Sequence, residues 1–267
     1  MNYSFTSFST PELRLGEMLD VAREYGYGGI DPRLDAGHAH GIEVDATPER
    51  RAAFRQQAAD AGIVIACLAT SITFADPEKS GEMIRQAHEQ IDLAGDVGAR
   101  VIRVFGGKIP DGVARRHAVD IVAEALRSVA DHAARRDVIV CLETHDDWCN
   151  PAHVAAVMRQ ALHPAIGAIW DVMHPVRAGD ATMDQAFRAL ARWIRHVHVH
   201  DGTPGEVLPF LPIGEGGYDH RTVISRLAAF QFDGFISGEW IGWEPYEVHL
   251  PRELATLKRY EEEAQSQ

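Results

Sequence analysis

Cysteine is scarce in this chain. Cys67, Cys141 and Cys149 are too few and too scattered for a disulfide framework or a zinc knuckle, and the first and second sit in apolar runs that suit buried thiols. Long apolar runs are missing too. No stretch reaches the roughly 18 consecutive apolar residues that a membrane helix needs, so no membrane partner is expected. The opening MNYSFTSFST has neither a basic n-region nor an apolar h-region and does not read as a signal peptide. Positive charge is short: 26 Lys and Arg stand against 39 Asp and Glu, a net −13 at pH 7. Such a surface repels phosphate backbones and argues against nucleic acid as a partner. There is no G-x-S-x-G, no P-loop and no G-x-G-x-x-G after the first strand, which leaves hydrolase-elbow, nucleotide-triphosphate and dinucleotide chemistry without a carrier. These absences predict a cytoplasmic protein that handles a small molecule. Only the residues around Glu261–Gln267 have the composition of a disordered end.

What is present is a repeated alternation. Eight apolar, β-branched runs stand out: Tyr3–Phe8, Gly29–Arg33, Ile63–Ser71, Arg100–Gly106, Val138–Thr144, Ile166–Val172, Ile194–His200 and Phe235–Trp240. Between them lie segments with apolar residues at helical spacing, among them Pro48–Ala61, Gly81–Val97 and Ala114–Arg136. Strand–helix alternation of this kind implies a parallel sheet. Units of roughly 33 residues match the (β/α)8 TIM barrel, an α/β fold, with the open doubly wound sheet as the alternative. No linker interrupts the pattern, so residues 1–267 are expected to form one domain.

A barrel directs attention to the C-terminal ends of its strands, where such folds carry their chemistry. The fifth run ends VCLETHDD, presenting Glu143 and His145; the sixth ends AIWDVMHP, presenting Asp171 and His174; the eighth ends in FISGEWIGW, presenting Glu239. The seventh is IRHVHVHDG, in which His196, His198 and His200 alternate with Val197 and Val199. Alternation sends the three imidazoles to one face, here the barrel interior, and the valines outward beneath the helices. Taken singly, each carboxylate suits a helix N-cap and each histidine suits a satisfied core position. Taken together, four strands close on side chains able to bind a metal. Buried carboxylates that converge need a cation. Three carboxylates and an imidazole suit Mn²⁺, Mg²⁺ or Co²⁺ better than a structural zinc site.

These residues resemble the xylose isomerase-like barrels, in particular the sugar isomerase/epimerase group. In that family a Glu ends strand five, Asp-x-x-His ends strand six, His-x-(Lys)-Asp lies on strand seven and a Glu ends strand eight. This chain has Glu143, DVMH (Asp171, His174), HVHD (His198 to Asp201) and Glu239, and PIGEGGYDH, with Glu215, is similar to the family's glycine-rich loop. The resemblance implies a metal held by Glu143, Asp171, His198 and Glu239. The metal would be Mn²⁺ first, with Mg²⁺, Co²⁺ or Zn²⁺ as alternatives. It makes His174 a substrate contact. Two departures bear on the reaction: His200 stands where the family often has Lys, and His145 is not a general family feature.

The activity implied is proton transfer α to the carbonyl of a ketose or related polyol, through an enediolate, with Glu143 and Glu239 as the acid–base pair and His174 and His145 assisting. The same enolate can expel a β-hydroxyl, so a dehydratase or lyase acting on a keto-sugar or inosose is the alternative, with His145 or His200 as the acid. Arg103, inside VIRVFGG, needs a carboxylate or substrate oxygen if buried. Arg33, His38, His40, His200 and Trp240 are further substrate-binding candidates; an ion pair suits Arg33 equally well, and an exposed loop suits the histidine pair of GHAH. Trp148 and Trp243 are candidate pocket walls. Two other classes compete: an endonuclease IV-like repair enzyme, which the acidic charge disfavours, and a barrel that has lost catalysis. The partner expected is a small, unphosphorylated carbohydrate; barrels of this kind often pair through their outer helices, which leaves a homo-oligomer open.

Overall fold

The computed structural model describes residues 1–205 and 208–266. The strands are β1 (Asn2–Thr6), β2 (Gly29–Asp31), β3 (Val64–Ile65), β4 (Cys67–Thr73), β5 (Val101–Phe105), β6 (Ile139–Glu143), β7 (Ile166–Asp171), β8 (Ile194–Val199), β9 (Asp201–Gly202), β10 (Phe210–Leu211) and β11 (Phe235–Gly238). β9 and β10 form a small antiparallel pair. The other nine make one parallel sheet in the order β3-β2-β1-β11-β8-β7-β6-β5-β4. Its two end strands are successive pieces of one stretch of chain parted at Ala66, and a bridge between Arg33 and Ala69 lies across the seam. The sheet therefore curls into a nearly closed barrel, the (β/α)8 TIM barrel expected from the unit length.

The helices between the strands are α1 (Leu15–Tyr25), α2 (Pro48–Ala61), α3 (Ser80–Val97), α4 (Arg115–Arg135), α5 (Pro151–Ala161), α6 (Met173–Ala178), α7 (Met183–Leu190), α8 (His220–Ala229) and α9 (Tyr246–Gln265). Their boundaries follow from local chemistry. The Thr47 hydroxyl accepts from the Arg50 amide at the start of α2, with Pro48 in the first turn. Gly26, Gly62 and Gly98 end α1, α2 and α3 in the left-handed conformation that glycine adopts without a Cβ penalty. No helix among the described residues is long and apolar enough to cross a membrane.

Three expectations are corrected. The second strand stops at Asp31 instead of Arg33, because Pro32 has no N–H to continue the ladder. The third is parted at Ala66 rather than continuous: its first piece pairs with β2 and its second with β5. The expected disordered end is helical through Gln265. There Glu261 accepts the Met1 ammonium at 2.5 Å and the Tyr3 hydroxyl at 2.8 Å, which ties α9 to β1; Gln267 lies outside the described residues.

Each barrel strand has two unlike faces. Outward, Ile102, Val104, Val140, Leu142, Trp170, Val197 and Val199 are fully buried in one apolar core with helical residues such as Leu126, Val129 and Val157. Inward, Cys67, Val101, Cys141 and Ile169 form a separate small apolar layer. Strand alternation puts Arg103, Glu143 and Asp171 on that inner face, two residues farther toward the C-terminal mouth. All three cysteines are free and buried, and burial pushes the Cys141 thiol up to about 12.

Candidate active site at the C-terminal mouth

Adjacent strands deliver the site. Glu143 ends β6 and Asp171 ends β7; His198 is the penultimate residue of β8; Glu239 directly follows β11. In register, Asp171 lies opposite His198, and His198 opposite Ser237. The Thr144 hydroxyl links the two carboxylate-bearing ends by accepting from the Asp171 amide and donating to the Asp171 carbonyl, both at 3.0 Å. As a result, one ligand atom from each of Glu143, Asp171, His198 and Glu239 lies within 4.8 Å of the others. Glu143, Asp171 and His198 are fully buried and Glu239 nearly so.

Contacts within the group are short. His198 Nδ1 lies 2.5 Å from Glu143 Oε1 and 3.5 Å from Glu239 Oε2. Buried Arg103 donates to Glu239 at 2.9 Å and to the Thr70 carbonyl at 3.2 Å, and its Nε stands 3.5 Å from Glu143 Oε2. Asp171 Oδ1 caps α6 by accepting from the amides of Met173 and His174. The N-cap task weighed for a lone aspartate thus uses one of its oxygens.

The electrostatics follow from this crowding. Burial alone would raise the Glu143 carboxyl, but Arg103 and His198 outweigh it and hold the group at about 2. Burial would likewise raise Asp171, yet His174 and His200 keep it well below the usual carboxylate range. Burial would lower His198; the Glu239 and Glu143 carboxylates overcome it and push the imidazole up to about 9.

A rim of histidines stands above the group. His200 Nε2 lies 3.1 Å from Asp171 Oδ2, while His200 Nδ1 faces the Glu239 carbonyl at 3.2 Å. His174 Nε2 is 3.8 Å from Asp171 Oδ2, and its ring meets His145 edge-on at 4.5 Å between centroids. His145 ion-pairs with Asp146 at 3.0 Å. Burial lowers His174 more than Asp171 raises it. Burial would lower His145 as well, but Asp146 and Glu143 leave it raised. The two neighbouring imidazoles are thus pushed in opposite directions.

Other candidates lie apart from this group. Arg33 donates to the Ala69 carbonyl at 3.1 Å and to the Ser71 hydroxyl at 2.5 Å, bracing the seam. In His40, Nε2 meets the Arg33 carbonyl at 3.1 Å and Nδ1 accepts from the Ile42 amide at 3.0 Å, so both nitrogens contact the loop's own backbone. His38 is half-buried and meets the Ser7 hydroxyl through Nδ1 at 2.8 Å. Trp148 fills the space beside Gly106, where an added Cβ would collide with its ring, and its indole N–H is held by the Gly107 carbonyl. Trp240 is buried next to Glu239.

The sequence reasoning missed Asp31. It is fully buried, accepts from His196 Nε2 at 2.7 Å, and stands 4.0 Å from His198 Nε2. Its signal was a carboxylate before a proline at a strand end, masked by reading the strand through to Arg33. Asp201 anchors the glycine-rich loop by accepting from the amides of Gly214 and Gly216, whereas Glu215 is exposed.

The residues fit a divalent cation. Glu143 Oε2 is buried without a hydrogen bond among the described residues. Glu143 and Glu239 face the Arg103 guanidinium and Asp171 does not, so the three carboxylates of the group leave two negative charges for a cation to balance when His198 is neutral. The donor set is oxygen-rich and lacks thiolates.

A family model described as "Xylose isomerase-like TIM barrel" matches residues 19–260. Among solved structures, an L-ribulose 3-epimerase superposes with TM-score 0.82 at 18% identity, covering 100% of this chain and 96% of the other. A probable 3-DHS dehydratase, AsbF, involved in petrobactin synthesis in Bacillus anthracis, gives TM-score 0.81 at 19% identity over 97% and 99%. A 3-keto-D-glucoside 4-epimerase, YcjR, from E. coli gives 0.78 at 15% over 97% and 99%. These likenesses show a shared fold. No curated protein matches by sequence.

Proposed function

The chain belongs to the xylose isomerase-like TIM barrel family, and on that premise we propose a divalent-metal-dependent isomerase or epimerase, a single catalytic domain acting on a ketose or related polyol. The observation that carries this reading is the order of the ligand-bearing strands. Along β11-β8-β7-β6, Glu239 and Glu143 occupy the two ends of the row, with His198 and Asp171 between them. Two carboxylates on opposite flanks of one bound carbon are what a proton removed from one face and returned to the other requires.

Glu143, Asp171, His198 Nδ1 and Glu239 would hold the cation, Mn²⁺ before Mg²⁺, Co²⁺ or Zn²⁺. When bound, it polarises a carbonyl and lowers the charge cost of an enediolate. Glu143 Oε2, without a hydrogen bond among the described residues, accepts the α-proton. Glu239, kept in place by Arg103, delivers a proton from the other side when it enters the cycle protonated, and exchange with solvent afterwards removes the proton from Glu143 and restores that of Glu239; delivery to the neighbouring carbon instead gives isomerisation. Arg103 and His174 offer N–H donors to the developing oxyanion.

The raised His145 supports a second reading, a dehydratase or lyase. A protonated imidazole at the rim beside a lowered His174 is placed to hand a proton to a departing β-hydroxyl. Proton NMR in D₂O separates the two. Metal-stripped protein, with and without Mn²⁺, is incubated with ketoses and inososes. Mn²⁺-dependent loss of an α-proton signal with a new sugar supports the isomerase; an alkene or its tautomer supports the dehydratase. Absence of exchange in Mn²⁺-loaded protein across the panel removes both.

A further inference from the structure

The two ring nitrogens of His198 have different neighbours. Nδ1 faces the carboxylate group, 2.5 Å from Glu143 Oε1 and 3.5 Å from Glu239 Oε2. Nε2 is buried and makes no hydrogen bond among the described residues. Its acidic neighbour is Asp31, whose Oδ2 stands 4.0 Å away. The proposed reaction uses neither Asp31 nor this nitrogen.

Asp31 is built to face two imidazoles. It ends β2, and His196 and His198 sit two residues apart on the inner face of β8. Their rings meet edge-on, 5.3 Å between centroids. Oδ2 accepts from His196 Nε2 at 2.7 Å, which pins the carboxylate beside His198. Oδ1 is buried and has no hydrogen bond among the described residues. A carboxylate offers about four acceptor positions, so this one keeps capacity next to an unmet ring nitrogen. Both side chains are fully buried, where polar groups nearly always find partners. The 4.0 Å separation exceeds a hydrogen bond by only about 1 Å. Both side chains end in a broad sp³–sp² torsion that can close it. A pair that merely tied β2 to β8 would be complete with His196.

We infer that Asp31 is a positioning residue of the cation site: its carboxylate takes the N–H of His198 Nε2 and so holds the Nδ1 lone pair toward the cation. The chemistry of imidazole requires such a partner. A cation on Nδ1 occupies that lone pair, so the one proton of the neutral ring sits on Nε2 and needs an acceptor. A carboxylate there fixes the ring's orientation and makes Nδ1 a stronger ligand. Ser237, opposite His198 in register, carries the competing acceptor, a buried hydroxyl with no hydrogen bond among the described residues; an ionised acceptor binds the N–H more strongly. This inference rests on the proposed function, because it takes the cation to be bound at Nδ1.

The test joins calorimetric titration with Mn²⁺ to nitrogen-15 NMR of the histidine rings in Mg²⁺-loaded protein, with His198 signals identified by their loss in His198→Gln. Asp31→Asn is expected to bind Mn²⁺ roughly 10- to 100-fold more weakly than wild type. His196→Gln, which leaves Asp31 a donor, and Ser237→Ala are expected to stay within about threefold of wild type. In the loaded wild type the His198 proton is expected on Nε2, far downfield, where a proton shared with a carboxylate resonates; in Asp31→Asn it moves upfield. If Asp31→Asn does not fold, the position of that proton in wild type and in Ser237→Ala carries the test. Wild-type affinity in Asp31→Asn overturns the inference. So does a loss in His196→Gln or Ser237→Ala as large as that in Asp31→Asn, or a His198 Nε2 proton that is not shifted downfield. If the wild type binds Mn²⁺ in those cases, the proposed function stands alone; if it binds no divalent cation, both fall.

Discussion

Leu142 and Glu143 are neighbours on one strand and live in different worlds. Leu142 faces outward into the continuous apolar core, fully buried and packed against helices. Glu143 faces inward, equally buried, among Arg103, His198 and an oxygen with no hydrogen bond. The same division recurs at Val197 and His198, at Ile236 and Ser237. Burial is complete on both faces, yet only the outer one gains from it. The hydrophobic effect stabilises the jacket, and the jacket holds the costly inner groups in position. Stability and chemistry are thus carried by alternate residues of the same strands.

The strongest break of this comparison is on the inner face. Glu143→Gln should lower turnover roughly 10²- to 10⁴-fold, read by NMR exchange, and should also lower the thermal midpoint in circular dichroism, because buried Arg103 and His198 lose the carboxylate they hold at about 2. A chelator should lower the turnover of the wild type reversibly on adding Mn²⁺, and should lower its thermal midpoint as well, since a cation bound by the folded chain stabilises it. The mirror experiment is Leu142→Ala. It should cost about 2–5 kcal/mol of stability in a urea titration, with Mn²⁺ affinity retained. An activity loss of Leu142→Ala as large as that of Glu143→Gln would erase the division.

A smaller effect concerns pH. Burial pushes His40 down to about 4, with the Arg33 carbonyl opposing. Its depressed value means the unfolded chain takes up a proton first as pH falls. Stability from this group is therefore full above about 6.5, declines as pH drops, and levels off below about 4, a change of up to about 3 kcal/mol. His40→Gln should flatten that part of the stability profile. The smallest effect should come from Ser237→Ala. The Ser237 hydroxyl is buried and unpartnered among the described residues, so its removal should be neutral or stabilising by about 1 kcal/mol; a loss of turnover would show that it serves a ligand.

The fold and the meeting of four strand ends were legible because both depend on periods: two along a strand, one β/α unit between strands. Glu143, Asp171, His198 and Glu239 sit one unit apart and therefore come together. Non-periodic features were harder to see. Asp31 pairs with His196 across 165 positions, and no local pattern announces that. Nothing in GHAH reveals that the Arg33 carbonyl and the Ile42 amide will meet both nitrogens of His40. His249 lies in the first turn of α9, and only barrel closure brings its Nε2 to the Ser9 hydroxyl in the turn after β1.

The parted strand at Ala66 has a consequence for how the barrel breathes. The seam between β3 and β4 lies at the ends of the sheet order, while β8 stands at its middle. Amide protons beside the seam on the short strands β2 and β3 should trade with deuterium first, and those of β7 and β8 last. Opening there would leave the four ligand-bearing strands side by side. A circular permutant cut between Gly62 and Val64 would place new chain ends at the one joint where the barrel can gape without unseating its chemistry.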